Sequence, residues 1–189
     1  MQDIFDLIDE DELVDIFSKA VDIKSTNPKG NEKPMCEYVE SLLKQNGIEY
    51  FKVPVEEGRY DIIAKIRGSQ DKDALVFTGH MDVVPVSEDE MKRWNTPPFT
   101  STIKDCKLYG RGSADMKSGL ISAIYSMILL KRNNITPKRD IILAATIDEE
   151  NLMKGSKALQ DNEAFKNAKY LIVCEPTDMK ICNEQKGRT

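Results

Sequence analysis

The sequence predicts an α/β fold, a three-layer domain in which a mixed, largely parallel central sheet lies between helices. Short apolar segments of strand length alternate along the chain with longer segments whose apolar residues recur at helical spacing. The chain has 189 residues, of which 40% are hydrophobic and 31% are charged, so it is long enough to bury one full core. We therefore expect one domain in which helices cover both faces of a sheet.

Two amphipathic helices are predicted first. One spans residues 11–23, and a turn-rich segment separates it from a second helix in which Asn31 is the predicted cap and Pro34 lies in the first turn. Gly47 is expected to end this second helix. Five residues share the apolar face of the first helix: Leu13, Ile16, Phe17, Ala20 and Val21.

The strands come next and alternate with two further helices. Strands are predicted over 49–53, 61–66, 74–78, 140–146 and 170–174, helices over 117–131 and 152–162, and a long loop over 85–107. The last strand ends in Cys174, which is expected to lie in the core. In open α/β sheets, binding sites gather beyond the carboxyl ends of the strands, so the residues that follow these strands are the candidates for function.

Composition excludes several classes of function. The formal charge of −5 and a pI of about 5.1 argue against a nucleic-acid partner, which usually meets a basic face. The longest nearly apolar stretch, residues 120–130, is too short to span a membrane. The acidic N-terminus is unlike a secretion signal, and the four cysteines form no C-x-x-C pair. We expect a cytoplasmic protein with reduced thiols.

The only histidine of the chain, His80, directly follows a predicted strand. A lone histidine is most often a hydrogen-bonded structural residue. Asp82, however, lies two positions further on, and in an extended segment both side chains point the same way. Its carboxylate can accept one imidazole N–H while the other ring nitrogen binds a metal. The pair makes His80 a candidate metal ligand that Asp82 orients.

Four more carboxylates are candidates for the same site. Asp115 ends a glycine-rich segment, where it can cap a helix or enter a crowded site. Glu149 and Glu150 follow an apolar strand; such an acidic run can be solvated, or one glutamate can bind a metal while the other moves a proton of water. Glu175 follows another strand, and the proline after it keeps its backbone extended.

Taken in order, these motifs resemble a known family. They are similar to the dinuclear zinc amidohydrolases and peptidases that include acetylornithine deacetylase, succinyl-diaminopimelate desuccinylase, aminoacylase and carboxypeptidase G. The resemblance runs through nearly the whole chain, including the turn STNPKGNE at 25–32. The other motifs stand in order, and their combination is specific although no single one is: GHMDVVP at 79–85, Trp94 with Pro98 and Phe99, LYGRGSADMK at 108–117, DEE at 148–150 and EPT at 175–177.

The resemblance implies a metal-ligand set of four residues. His80 and Glu175 would bind one zinc ion, Glu150 would bind a second, and Asp115 would bridge the two. Two zinc ions are implied for each complete active site, and cobalt or manganese would be possible substitutes. Histidine and carboxylate ligands suit these metals.

The resemblance also implies the remaining roles and the substrate class. Asp82 would orient His80, and Glu149 would act as the general base. The substrate would be a small molecule, an N-acyl amino acid or a small peptide, whose amide bond is cleaved by a metal-activated water. The complete protein would be a homodimer, and the peptide bond between Asp115 and Met116 would be cis.

One departure concerns further histidines. The family uses a histidine ligand late in the chain and another from an inserted lid and dimerisation domain, and this sequence has neither. We therefore expect residues 1–189 to form the N-terminal part of the metallohydrolase catalytic domain, without the lid domain and the C-terminal part. The alternative is an inactive, truncated or degenerate fragment that acts at most as a metal-binding or interaction module.

Overall fold

Two amphipathic helices begin the fold in the computed structural model, which describes residues 4–28, 30–70, 73–178 and 180–182. Helix α1 spans Glu10–Asp22, and the Asp9 side chain caps it by accepting the N–H of Glu12. Helix α2 spans Lys33–Gln45. The predicted cap of α2 is wrong, because the Asn31 side chain instead donates to the carbonyl oxygen of Lys24 at 2.7 Å.

In the described part of the chain, five strands form the central sheet: β1 (Glu49–Glu56), β2 (Arg59–Ile66), β3 (Ala74–His80), β6 (Ile141–Thr146) and β7 (Ala168–Val173). Their order in the sheet is β1-β2-β6-β3-β7. Strands β1, β2 and β6 pair antiparallel, whereas β3 pairs parallel with both β6 and β7. The predicted mixed sheet is thus confirmed.

Helices pack on both faces of the sheet, and the edge strand β7 remains exposed. Alternate residues of a strand point to opposite faces, so Ile62 joins the larger core cluster and its neighbour Ile63 the smaller one. The larger cluster contains residues of α1, of α2 and of a third long helix, α4 (Ser118–Arg132). Helix α4 is apolar around most of its circumference, as is typical of a buried helix. The smaller cluster includes Leu159, just after the short helix α5 (Lys154–Ala158).

Three expectations about local structure need correction. The segment 85–107 is not wholly a loop, because it contains helix α3 (Glu88–Met91), strand β4 (Thr102–Lys104) and the start of β5 (Lys107–Tyr109). The helix predicted over 152–162 is reduced to α5, since Met153 adopts a left-handed backbone with φ of 55°.

The third correction concerns Cys174. It is half-buried rather than a core residue, because strand β7 before it is exposed along its whole length. No helix in the described part of the chain is long and apolar enough to cross a membrane.

Asp61 is a buried carboxyl near the start of β2, beside the carboxyl end of β6. One carboxylate oxygen accepts the N–H of Ile147 at 2.9 Å, and the other has no hydrogen-bond partner among the described residues. Burial raises the pKa of Asp61 to about 7, and the nearby charges of Glu32 and Asp82 add to this. Below about pH 7, the folded state therefore favours the protonated form of this side chain.

This raised pKa predicts a pH-dependent stability. Asp61 contributes its full stabilisation below its ordinary pKa of 3.8 and loses it as the pH rises toward 7, so its share of the unfolding free energy falls by up to about 1.4 kcal/mol per pH unit. In Asp61→Asn this share of the slope should vanish. Urea unfolding between pH 4 and pH 8 measures this share, as the difference in the pH slope of the unfolding free energy between the variant and the unmodified protein.

The control is Asp140→Asn, because ion pairing to Lys65 helps lower the pKa of Asp140 against the opposing effect of burial. That variant should change the unfolding free energy by a constant amount above pH 5. An identical pH slope in Asp61→Asn and the unmodified protein would show that Asp61 is charged in the folded state.

Candidate metal centre

The candidate residues lie at the edge of the sheet where three parallel strands end. His80 is the last residue of β3, Glu175 lies just beyond β7, and Glu149 and Glu150 follow β6. Since β3 runs parallel to both neighbours, these three carboxyl ends meet at one edge. Asp115 reaches the same edge from the turn before α4.

One imidazole nitrogen is surrounded by carboxylates. Nε2 of His80 lies 3.2 Å from Oδ1 of Asp115, 3.7 Å from Oε1 of Glu175 and 3.8 Å from Oε2 of Glu149. Among the residues that the structure describes, two sets of three have potential ligand atoms within 4.8 Å of one another: His80, Asp115 and Glu175 form one, and His80, Glu149 and Glu150 form the other.

A backbone carbonyl sets the orientation of His80. Nδ1 lies 2.8 Å from the carbonyl oxygen of Asp82, which can only accept, so Nδ1 carries the proton. The expected acceptor was the Asp82 carboxylate, but its Oδ1 is 3.6 Å from Nδ1. That carboxylate instead accepts the backbone N–H groups of Glu149 at 3.2 Å and Glu150 at 3.0 Å.

The Asp115 turn is held by a buried lysine. Nζ of Lys117 donates to the carbonyl oxygens of Ala20 and Ile23 at the end of α1, and its side chain is wholly buried. Burial lowers the pKa of Lys117 to about 7. The peptide bond between Asp115 and Met116 is cis, as predicted.

Gly119 allows the segment bearing Glu175 to approach α4. A methyl group at Gly119 would lie 2.0 Å from the carbonyl oxygen of Cys174, the residue before Glu175. The glycine is thus required by close backbone packing rather than by its dihedral angles.

The charges of the cluster shift its pKa values in opposite directions. Burial alone would lower the pKa of His80, but the hydrogen bond to Asp115 and the charges of Asp82 and Glu175 raise it to about 9. The His80 hydrogen bond lowers the pKa of Asp115. Burial, with the nearby carboxylates, raises the pKa of Glu175 to about 7 and also raises that of Glu150.

This donor set fits a divalent metal ion. With Nδ1 bonded to the Asp82 carbonyl, Nε2 faces carboxylate oxygens. Without a metal the raised pKa of His80 keeps a proton on Nε2, and a divalent cation can take the place of that proton. One imidazole nitrogen with several carboxylate oxygens suits zinc, cobalt or manganese.

The motif pattern also predicts the family of this chain. The sequence profile of peptidase family M20/M25/M40 matches residues 76–183, more than half of the sequence. The chain belongs to this family. The family resemblance predicted from the motifs is therefore confirmed.

Two M20 relatives show how far the similarity extends. A probable succinyl-diaminopimelate desuccinylase of Staphylococcus aureus (strain MRSA252) is 35% identical over 178 residues, 94% of this chain and 42% of the relative. An acetylornithine deacetylase of Vibrio campbellii is 34% identical over 168 residues, 87% of this chain and 42% of that protein. The chain spans less than half the length of either relative.

A solved structure shows the same M20 fold. The dipeptidase Dug1p of Saccharomyces cerevisiae superposes with a TM-score of 0.74 over 90% of this chain and 40% of the yeast chain, at 20% identity. At that identity the likeness shows the fold alone.

No local sequence pattern marks the residues behind the site. Asn27 contacts the Asp82 carboxylate, and Arg59 contacts the side chains of both Glu32 and Asp148. Asn27 and Glu32 belong to a turn whose only distinguishing signal was the family resemblance. Arg59 stands at the start of a strand, where a charged residue is ordinarily solvated.

Proposed function

We propose that this chain forms the N-terminal part of the catalytic domain of a metal-dependent hydrolase that cleaves the amide bond of N-acyl amino acids or small peptides. The observation that carries the proposal is the imidazole nitrogen of His80 faced by carboxylates of Asp115, Glu149 and Glu175 at one sheet edge. The names of the two relatives favour N-acyl amino acids among the possible substrates.

The set of His80, Asp115 and Glu175 supports one metal position, and the family resemblance supplies the pair Asp115 and Glu150 for a second. His80, Asp115 and Glu175 would hold one metal ion, with zinc as the first choice and cobalt or manganese as alternatives. Asp115 and Glu150 would hold a second ion, together with ligands from beyond these 189 residues. A divalent metal at this position supplies Lewis acidity, which acidifies water and polarises a carbonyl group.

Glu149 would transfer the proton in this proposal. Its carboxylate is about one-third exposed and reaches the same space as Nε2 of His80, so it can contact a water and a substrate together. We assign to Glu149 the removal of a proton from the attacking water and its delivery to the amine nitrogen that leaves. Asp82 fixes the backbone of Glu149 and Glu150, and its carbonyl fixes the imidazole of His80.

The remaining expectations extend the proposal to the complete protein. It would act in the cytoplasm as a homodimer on a small-molecule substrate. The described cysteines are all free, which is compatible with a reducing compartment.

A substrate panel tests this function. The complete protein that carries this chain, supplied with zinc, cobalt or manganese, should hydrolyse at least one class among N-acetyl amino acids, N-succinyl amino acids and dipeptides. Chelation should abolish the hydrolysis, and returning the metal should restore it. A metal-loaded protein that cleaves none of these amides would support the alternative, a metal-binding or interaction module.

A further inference from the structure

A buried polar network lies behind the candidate metal centre. It contacts the centre through Asp82, on the Nδ1 side of His80 and away from the carboxylates that face Nε2. Its acidic members are Glu32, Asp82 and Asp148, each no more than 1% exposed. Buried carboxylates are costly unless they are paired and hydrogen-bonded, so their partners decide how the loops at the sheet edge are held.

Asn27 bridges two of these carboxylates. Its side-chain nitrogen donates to Oδ2 of Asp82 at 2.6 Å and to Oε1 of Glu32 at 2.9 Å. The amide orientation is fixed, because its oxygen accepts the N–H of Gly30 at 3.2 Å. The backbone of Asn27 is tied to the same segment, since its N–H donates to the carbonyl of Val83 at 3.0 Å.

Arg59 joins the other side of the network. Its guanidinium donates from Nε to Glu32 at 3.0 Å and from Nη2 to both Glu32 and Asp148, the latter at 3.0 Å. The arginine side chain is only 13% exposed. Asp148 has a left-handed backbone with φ of 64° and begins the turn that carries Glu149 and Glu150.

The network therefore connects two loops that are far apart in the sequence. One end is Asp82, which accepts the N–H groups of both glutamates and whose carbonyl holds His80. The other end is Asp148, which Arg59 anchors. A lysine in place of Arg59 could not offer the same fork of N–H groups to two carboxylates.

We propose that Asn27 and Arg59 are positioning residues that lock the loop after β3 and the loop after β6 into one geometry. This inference rests on the proposed function, because the two loops matter through the metal ligands and the general base that they carry. Neither residue is proposed to bind the metal. Asn27 acts through its contact with Asp82, and Arg59 acts through its contacts with Glu32 and Asp148. Loss of either should loosen the turn at Glu149 and Glu150 and weaken metal binding.

Amide hydrogen exchange and zinc titration of the 189-residue chain test the proposal. In Asn27→Ala, the amides of Glu149 and Glu150 should exchange at least about 10-fold faster relative to amides of β3 and β6. Zinc affinity should fall by about 10–100-fold, as for other partners that orient metal ligands. Arg59→Lys should change both quantities in the same direction, and it provides the test if Asn27→Ala does not fold.

The control is Tyr125→Phe, which removes hydrogen bonds to Asp9 and Glu12 at the start of α1. It should alter global stability without selective exchange at Glu149 and Glu150. If Asn27→Ala and Arg59→Lys exchange at these amides like the control, the positioning role is wrong. If the unmodified chain binds no zinc, the proposed metal site fails, and the exchange rates still decide whether the network holds the turn.

Discussion

Replacement of Glu149 by glutamine should lower kcat of the complete enzyme by roughly 10²–10⁴-fold and leave its metal content nearly unchanged. A loss of this size is typical when a general base is removed. Glutamine keeps the shape of the side chain but cannot accept the proton of water. The backbone N–H of residue 149 can still donate to Asp82, so the turn should persist. Steady-state kinetics with metal analysis of the same preparation measures both quantities.

Two comparison variants sharpen this test. Glu163→Gln changes an exposed glutamate that pairs with Lys166, and it should leave kcat unchanged. Glu150→Gln should lose metal together with activity, because Glu150 is assigned as a ligand. Glu149 lies 3.8 Å from Nε2 of His80, within reach of the same ion. Parallel loss of metal and turnover in Glu149→Gln would therefore make Glu149 a ligand and contradict its role as the base.

The 189-residue chain should bind one zinc ion tightly and a second only weakly. His80, Asp115 and Glu175 offer three protein ligands for one ion and leave a position for water. The second ion would keep only the carboxylates of Asp115 and Glu150, which gives weak, exchangeable binding. Isothermal titration should give a stoichiometry near one. His80→Ala should reduce the affinity by at least about 100-fold, beyond the range seen when only an orienting partner is lost.

The same chain should show no amide hydrolysis, because the groups that clamp the substrate and exclude water would come from the rest of the protein. Lys166→Ala serves as the control for the titration, since Lys166 pairs with exposed Glu163. Two tight zinc sites in the chain, or turnover that chelation removes, would contradict this assignment of ligands.

The strand ends could be predicted from the sequence because apolar segments define them. His80, Glu149 and Glu175 each follow such a segment, and parallel strands bring their carboxyl ends together. The periodicity of apolar residues did not indicate which strand-end carboxylates belong to one cluster. The resemblance of the motifs to the family did. Asp115 lies on no strand and depended most on the resemblance.

The partners of these residues could not be predicted in the same way. Asn27 meets Asp82 across 55 positions, and Arg59 meets Asp148 across 89. Such contacts depend on how the layers pack, and local pattern carries no information about them. The cap of α2 predicted from local pattern was wrong for the same reason, because the Asn31 side chain donates to the backbone carbonyl of Lys24.

The most direct test of the metal centre uses the fact that the chain has one histidine, so its imidazole nitrogen signals are unambiguous. Nitrogen NMR of the 189-residue chain should show a proton on Nδ1 both before and after zinc is added. This N–H donates a hydrogen bond to the Asp82 carbonyl. With one equivalent of zinc, the Nε2 signal should move to the position of a metal-coordinated nitrogen. If zinc saturates the chain while Nε2 keeps its metal-free signal, His80 is not a ligand and the proposed centre is contradicted.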